Sequence, residues 1–294
     1  MIKKNIFDLK KMAVIGEKIS FLTAYDYLTA KYEERAGIDM ILVGDSLGNV
    51  QLGYKSTIPT TMDEMISHAS AVRRGAPNTF IIGDMPYMSY QMSDEIAITN
   101  AGRFIKESEC DSVKIEGSTK LICDRVKAIV GAGILVMGHV GLTPQYSAQL
   151  GGLKAQGRSA DAALKVIEDA KRLEEAGCWS ILVEGVPAVV GKAIKENTNI
   201  PILGIGSGSY VDGQLLIYAD MLGYYDDFTP KFVKKYCNLG EIIQKAFEEY
   251  IFEIKEGKFP DNNMHSYKIS SDEEQNFLKK ITEINKTDSQ GNIK

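Results

Sequence analysis

Eight short, largely apolar runs rich in Val, Ile and Leu recur along the chain, each followed by a polar or glycine residue and then by a stretch with helical periodicity. They lie at 19–24, 40–43, 80–82, 113–115, 134–137, 181–183 and 200–203, with a weaker eighth at 218–222. Runs of Val, Ile and Leu that do not alternate with polar residues belong to strands buried on both faces, the condition of a parallel sheet. Eight strand–helix units predict a closed barrel. A doubly wound open sheet is the competing α/β architecture, but it would spread its strand ends along an edge, whereas a barrel gathers them around one mouth. Nearly every run here ends in a polar residue, which favours the barrel.

The intervening helices have readable ends. Thr61 and Glu64 form a capping-box pattern that opens a helix to about Arg74, with Met62, Met65, Ile66, Ala69 and Val72 on one side. Another spans 159–175, with Ala163, Val166, Ile167, Ala170 and Leu173 at helical spacing and Gly177 as its stop. The predicted fold is therefore a single (β/α)8 TIM barrel over 1–267 with a short N-terminal helical segment. A polar, partly helical extension follows over 268–294. Its helix starts at Ser271, with Glu274 as capping partner, and carries Phe277, Leu278, Ile281 and Ile284; residues 286–294 are expected to be disordered.

Composition narrows the possible partners. The chain of 294 residues is 44% hydrophobic and 25% charged with a net charge of -5, the profile of a soluble globular protein. No stripe of Lys and Arg offers a nucleic-acid surface. No stretch approaches the roughly 18 apolar residues of a membrane span, and the first residues lack the apolar core of a signal peptide. Cys110, Cys123, Cys178 and Cys237 are widely spaced with no C-x-x-C pair, which points to a reduced, cytoplasmic chain.

The strand ends carry the chemistry. Runs two and three lead into Gly44-Asp45-Ser46 and Gly83-Asp84, so two aspartates would point into the mouth from neighbouring strands. Adjacent carboxylates repel unless a cation separates them, which makes oxygen-ligated Mg²⁺ the economical explanation; helix capping by each aspartate is the alternative. In Val113-Lys114-Ile115-Glu116, alternation sends Lys114 and Glu116 to one face, where they pair with each other, a metal shell or an anionic substrate. His139 is read as a substrate hydrogen-bonding group at the end of strand five, while His68 reads as structural. Glu184, flanked by Val183 and Val186 at the end of strand six, suits a general base. The glycine loop at 204–208 is a weak anion-binding signal, and no P-loop, G-x-S-x-G or H-E-x-x-H motif is present. A metal beside a lysine suits a bidentate 2-oxo acid and points to enolate chemistry: carbon–carbon bond formation or cleavage, or isomerisation.

These residues also lie in motifs that resemble the 3-methyl-2-oxobutanoate hydroxymethyltransferase (ketopantoate hydroxymethyltransferase) family, over nearly the whole chain to about Tyr267. The motifs are T-A-Y-D at 23–26, G-D-S-L-G at 44–48, G-Y-x-S-T at 53–57, G-D-M-P at 83–86, V-K-I-E-G at 113–117, G-H-V-G-L-T-P-Q at 138–145 and D-G-Q at 212–214. The resemblance implies a (β/α)8 barrel assembled as a homodecamer. It further implies Mg²⁺ on Asp45, Asp84 and Glu116, a 2-oxo acid held by Asp45, Ser46, Asp84 and Lys114, and Glu184 as proton acceptor. The implied reaction joins the enolate of 3-methyl-2-oxobutanoate to the one-carbon unit of 5,10-methylenetetrahydrofolate, giving 2-dehydropantoate. Ser207 replaces the family's usual Ala in G-I-G-A-G, and Leu153 stands where an aromatic is usual. The nearest enzymatic alternative, a lyase of the phosphoenolpyruvate mutase and isocitrate lyase type, typically carries a K-K-C-G-H segment that is absent here.

Overall fold

The computed structural model describes residues 3–290. A capping box between Asn5 and Asp8 starts helix α1 (Ile6–Ile15), whose Leu9 and Met12 pack into the core below the first strand. There follow β1 (Ile19–Thr23), α2 (Tyr27–Ala36), β2 (Met40–Val43), the one-turn α3 (Leu47–Val50), α4 (Met62–Gly75), β3 (Phe80–Asp84) and α5 (Asp94–Glu107). The second half continues with β4 (Ser112–Glu116), α6 (Lys120–Gly131), β5 (Val136–Gly141), the one-turn α7 (Ser147–Leu150), α8 (Ala160–Glu175), β6 (Ser180–Glu184) and α9 (Ala188–Glu196). It ends with β7 (Ile202–Ile205), β8 (Gly213–Leu216), the short α10 (Tyr218–Met221), α11 (Leu239–Lys255) and α12 (Ser271–Gln290).

The eight strands pair in sequence order, all parallel, and β8 closes on β1. Two-residue periodicity divides each strand between two cores. Met40, Leu42, Phe80, Ile82, Met137, Leu182 and Leu203 fill the barrel, while Ile41, Val43, Ile81, Val113, Ile115, Ile181 and Val183 face the helical ring. The inner-face residues at the carboxyl ends of β3, β4 and β6 are polar, whereas β7 ends inside on Ile205. Asp84 follows Ile82, Glu116 follows Lys114, and Glu184 follows Leu182 at two-residue intervals, which lifts these side chains into the layer that opens at the top of a barrel.

Several expected boundaries shift. The eighth strand is 213–216 and not 218–222, because the latter run forms α10; Gly213 passes so close to β1 that an added Cβ would lie 2.4 Å from the Ile19 carbonyl oxygen. The capping boxes at Thr61 and the N-cap at Ser159 form as the sequence indicates. Helix α12 ends at Gln290, within the segment 286–294 that was expected to be disordered, and residues 291–294 lie outside the described residues. Contacts divide the chain into two compact units, Met1–Leu239 and Gly240–Lys294, and the sequence boundary at 267 falls within the second. That second unit consists of α11, α12 and their connection, in which Phe259 stacks between Tyr250 and His265 at centroid distances of 5.8 and 5.0 Å. Among the described residues no helix is long and apolar enough to cross a membrane. Cys110, Cys123 and Cys178 are buried free thiols, and Cys237 is an exposed one.

Candidate active site

Asp45 sits one residue beyond Gly44 at the mouth end of β2, and Asp84 is the last residue of β3. Gly83 makes this possible on the outer side: an added Cβ there would meet the Phe104 ring at 2.2 Å, so glycine lets α5 seat against the strand that carries Asp84. The Asp45 backbone N–H donates to Asp84 Oδ2 at 3.0 Å. Across the β3–β4 register, where Asp84 lies opposite Lys114, the ammonium donates to Asp84 Oδ1 and Oδ2 at 2.8 and 2.7 Å and to Glu116 Oε1 at 3.3 Å.

Glu116 passes the chain on to β5. Its Oε1 lies 3.1 Å from His139 Nδ1, and its Oε2 accepts the backbone N–H of Gln145 at 3.0 Å. His139 Nε2 lies 3.2 Å from Glu184 Oε2, but the two are not aligned for a hydrogen bond, and the nitrogen is otherwise buried without a partner. Glu184 is held at this depth by Gly141, its register partner on β5. Gly141 has φ +91°, and an added Cβ would lie 2.3 Å from the Glu184 carbonyl oxygen. Asp45, Asp84, Lys114, Glu116, His139 and Glu184 thus form one continuous file around half the mouth.

Burial sets the protonation states of this file. Burial and then the Asp84 charge push the Asp45 carboxyl well above the usual carboxylate range. Burial also raises Asp84, although Lys114 opposes it. Lys114 would lose its proton more easily through burial alone, but Asp84, Glu116 and Asp45 together push it upward. At Glu116 the burial penalty is overcome by Lys114 and His139, which bring its pKa down to about 2. At His139 burial is overcome by Glu116, which brings the imidazole up to about 9. Near neutral pH Glu116 is therefore ionised and His139 cationic.

Each residue singled out from the sequence is accounted for. Ser46 reaches the mouth as the hydrogen-bond partner of the buried Tyr25 hydroxyl at 2.7 Å. His139 lies within β5, one layer below the strand end where the sequence placed it, because that strand runs on to Gly141. His68 is structural, bonded through Nδ1 to the Tyr25 carbonyl. Ser207 is buried and its hydroxyl has no partner, while Leu153 is exposed. Among the described residues no three acid, histidine or cysteine side chains are grouped as metal ligands, since Lys114 stands between Asp84 and Glu116. Sequence reasoning missed Gln145 and Tyr90. Gln145 stands in the G-H-V-G-L-T-P-Q motif, but nothing in one sequence distinguishes a buried amide from an exposed loop residue.

This mouth is that of an acid-rich barrel, and sequence comparison gives it a family. The family model described as ketopantoate hydroxymethyltransferase matches residues 3–262. The chain belongs to the ketopantoate hydroxymethyltransferase family. It is 54% identical over 273 residues to the 3-methyl-2-oxobutanoate hydroxymethyltransferase of Alkaliphilus metalliredigens (strain QYMF), covering 93% of this chain and 96% of that one. It is 53% identical over 269 residues to the enzyme of the same name from Clostridium kluyveri, covering 92% and 95%. Among solved structures, the phosphoenolpyruvate phosphomutase of Streptomyces platensis subsp. rosaceus superposes with a TM-score of 0.59 over 98% of this chain and 99% of that one, at 13% identity. That last likeness concerns the barrel fold alone. Membership in the hydroxymethyltransferase family makes the chain one of a family of transferase enzymes.

Proposed function

We propose that this chain transfers the one-carbon unit of 5,10-methylenetetrahydrofolate to 3-methyl-2-oxobutanoate in a Mg²⁺-dependent reaction, giving 2-dehydropantoate and tetrahydrofolate. The observation that carries the reading is the buried file from Asp45 to Glu184, with paired aspartates suited to a cation at one end and a carboxylate at the other.

The donor set fits a hard divalent cation. Asp45 and Asp84 offer oxygen ligands from adjacent strands, and Asp45 Oδ1 receives no protein hydrogen bond. Glu116, the third acid of this reading, lies behind Lys114 with both oxygens engaged by Lys114, His139 and the Gln145 backbone N–H. When bound there, Mg²⁺ would polarise the keto group of the substrate and acidify the adjacent C–H.

The protein's own groups supply the remaining steps. Lys114, cationic and almost wholly buried, neutralises the substrate carboxylate, and Ser46 presents a hydroxyl whose orientation Tyr25 fixes. Glu184 is the group of the file closest to solvent, with a side chain 16% exposed, and it accepts the C3 proton of the 2-oxo acid. His139, between Glu116 and Glu184, carries positive charge 3.2 Å from that carboxylate. Water opens the folate methylene, both of its C–N bonds breaking to release tetrahydrofolate and a formaldehyde-level carbon; the enolate carbon adds to that carbonyl, and the resulting alkoxide takes back the proton held by Glu184 to give the product hydroxyl. Two small molecules are the partners in this reading, with the cytoplasm as the site of action and a homodecamer as the assembly.

The test is an omission series. Complete mixtures are expected to form 2-dehydropantoate, and mixtures lacking Mg²⁺, folate or 3-methyl-2-oxobutanoate are not. Product formation without the folate donor, or none in the complete mixture, would refute the assignment.

A further inference from the structure

Of the six carboxylate oxygens on Asp45, Asp84 and Glu116, five accept hydrogen bonds among the described residues, and Asp45 Oδ1 alone does not. The residue that creates this asymmetry is Gln145, in the single 3₁₀ turn after β5. Its Nε2 donates to Asp45 Oδ2 at 2.9 Å and to the Met85 carbonyl at 3.0 Å. Its Oε1 accepts the Tyr90 hydroxyl at 2.7 Å. The Met85 carbonyl can only accept, so the amide must turn its nitrogen toward Asp45 and its oxygen toward Tyr90. Tyr90 is itself fully buried, and its oxygen accepts the Glu116 backbone N–H at 3.3 Å, which leaves its one proton for Gln145. The Gln145 main chain grips Glu116 Oε2 from the same turn. One residue therefore joins the ends of β2 and β4 through a buried, 4% exposed side chain with every polar atom satisfied.

We propose that Gln145 is a positioning residue for the cation centre. It occupies Asp45 Oδ2 so that Asp45 meets a bound cation through Oδ1 alone, and Tyr90 locks the amide in the orientation that does so. The proposal rests on the cation reading given above. Its chemical consequence is selectivity. Mg²⁺ requires near-octahedral geometry at short distances and suits one-oxygen carboxylates, whereas the larger Ca²⁺ takes carboxylates in two-oxygen mode and tolerates irregular shells. Releasing Oδ2 would let Asp45 chelate and would move the site toward Ca²⁺. A residue that only packed the turn would alter both affinities together.

Calorimetric titration of the folded protein with MgCl2 and with CaCl2 tests this. Gln145→Leu is expected to weaken Mg²⁺ binding by roughly 10–100-fold, the range for loss of a group that orients a metal ligand. It should also shift the Mg²⁺-to-Ca²⁺ affinity ratio toward Ca²⁺. Tyr90→Phe removes only the lock and is expected to shift the ratio in the same direction by less, and it decides the matter if Gln145→Leu does not fold. A ratio within roughly twofold of wild type in the folded variants, whatever the change in absolute affinity, would overturn the positioning role. A wild-type protein that binds neither ion would instead overturn the cation reading on which the role depends.

Discussion

Glu33 carries a burden unrelated to the mouth. It faces inward from α2 with 7% exposure, and neither carboxylate oxygen has a partner. Burial, reinforced by the Asp26 charge, brings its pKa up to about 9 from an ordinary 4.5. The folded state therefore keeps a proton that the unfolded chain has given up, and the stability this provides is present below about pH 4.5 and lost as pH rises toward 9. Glu33→Gln, which carries no such proton, is expected to flatten the fall. Denaturant unfolding at about pH 5, 7 and 9 should show wild type losing stability relative to the variant by up to about 1.4 kcal/mol per pH unit. Parallel pH profiles for the two proteins would contradict the placement of a neutral Glu33. In the sequence, Glu33 is one charged residue of an ordinary helix, because a single sequence does not show which side of α2 faces inward.

The same limit separates what was legible at the site from what was not. Asp45, Asp84, Lys114, Glu116 and Glu184 could be picked out because each is a polar residue within or at the end of an apolar run, where burial and charge conflict. Gln145 and Tyr90 lie in connections with no such conflict to mark them, and their roles exist only through bonds spanning 100 and 55 residues, respectively, from Gln145 to Asp45 and Tyr90.

At the scale of elements, glycine decides how helices meet strands. The Phe104 ring of α5 occupies the space where a Gly83 side chain would stand, so the strand that delivers Asp84 is packed against its helix without clearance. Gly83→Ala inserts one methyl group into that contact and is expected to destabilise the protein by about 1–3 kcal/mol. Denaturant titration would show it as a lower midpoint at unchanged slope. A midpoint equal to wild type would mean that Phe104 can move aside freely. Element existence was well specified by the apolar runs, since seven of the eight gave strands at or within a few residues of their positions. The eighth failed for a physical reason. Gly213-Gln214-Leu215-Leu216 is short, polar at its second position and next to glycines, so it resembles a turn, while the more apolar 218–222 run spends its residues in a helical turn above the barrel.

On the scale of the whole molecule, closure of the barrel turns separate strand ends into one site. The order β1 to β8 places β2, β3, β4, β5 and β6 side by side, and these are the strands that supply the acidic file. Helices α11 and α12 expose Phe247, Tyr250, Ile251, Phe252, Phe277 and Leu278. In the proposed function Glu184 removes the C3 proton of 3-methyl-2-oxobutanoate at this mouth. Proton NMR of that substrate in D₂O measures the step without needing product. Wild type with Mg²⁺ is expected to erase the C3–H signal, and Glu184→Gln to bind the substrate yet exchange it slower by at least about 10²-fold. A C3–H signal that persists with wild type, Mg²⁺ and folate, or that disappears as fast with Glu184→Gln, would contradict the account.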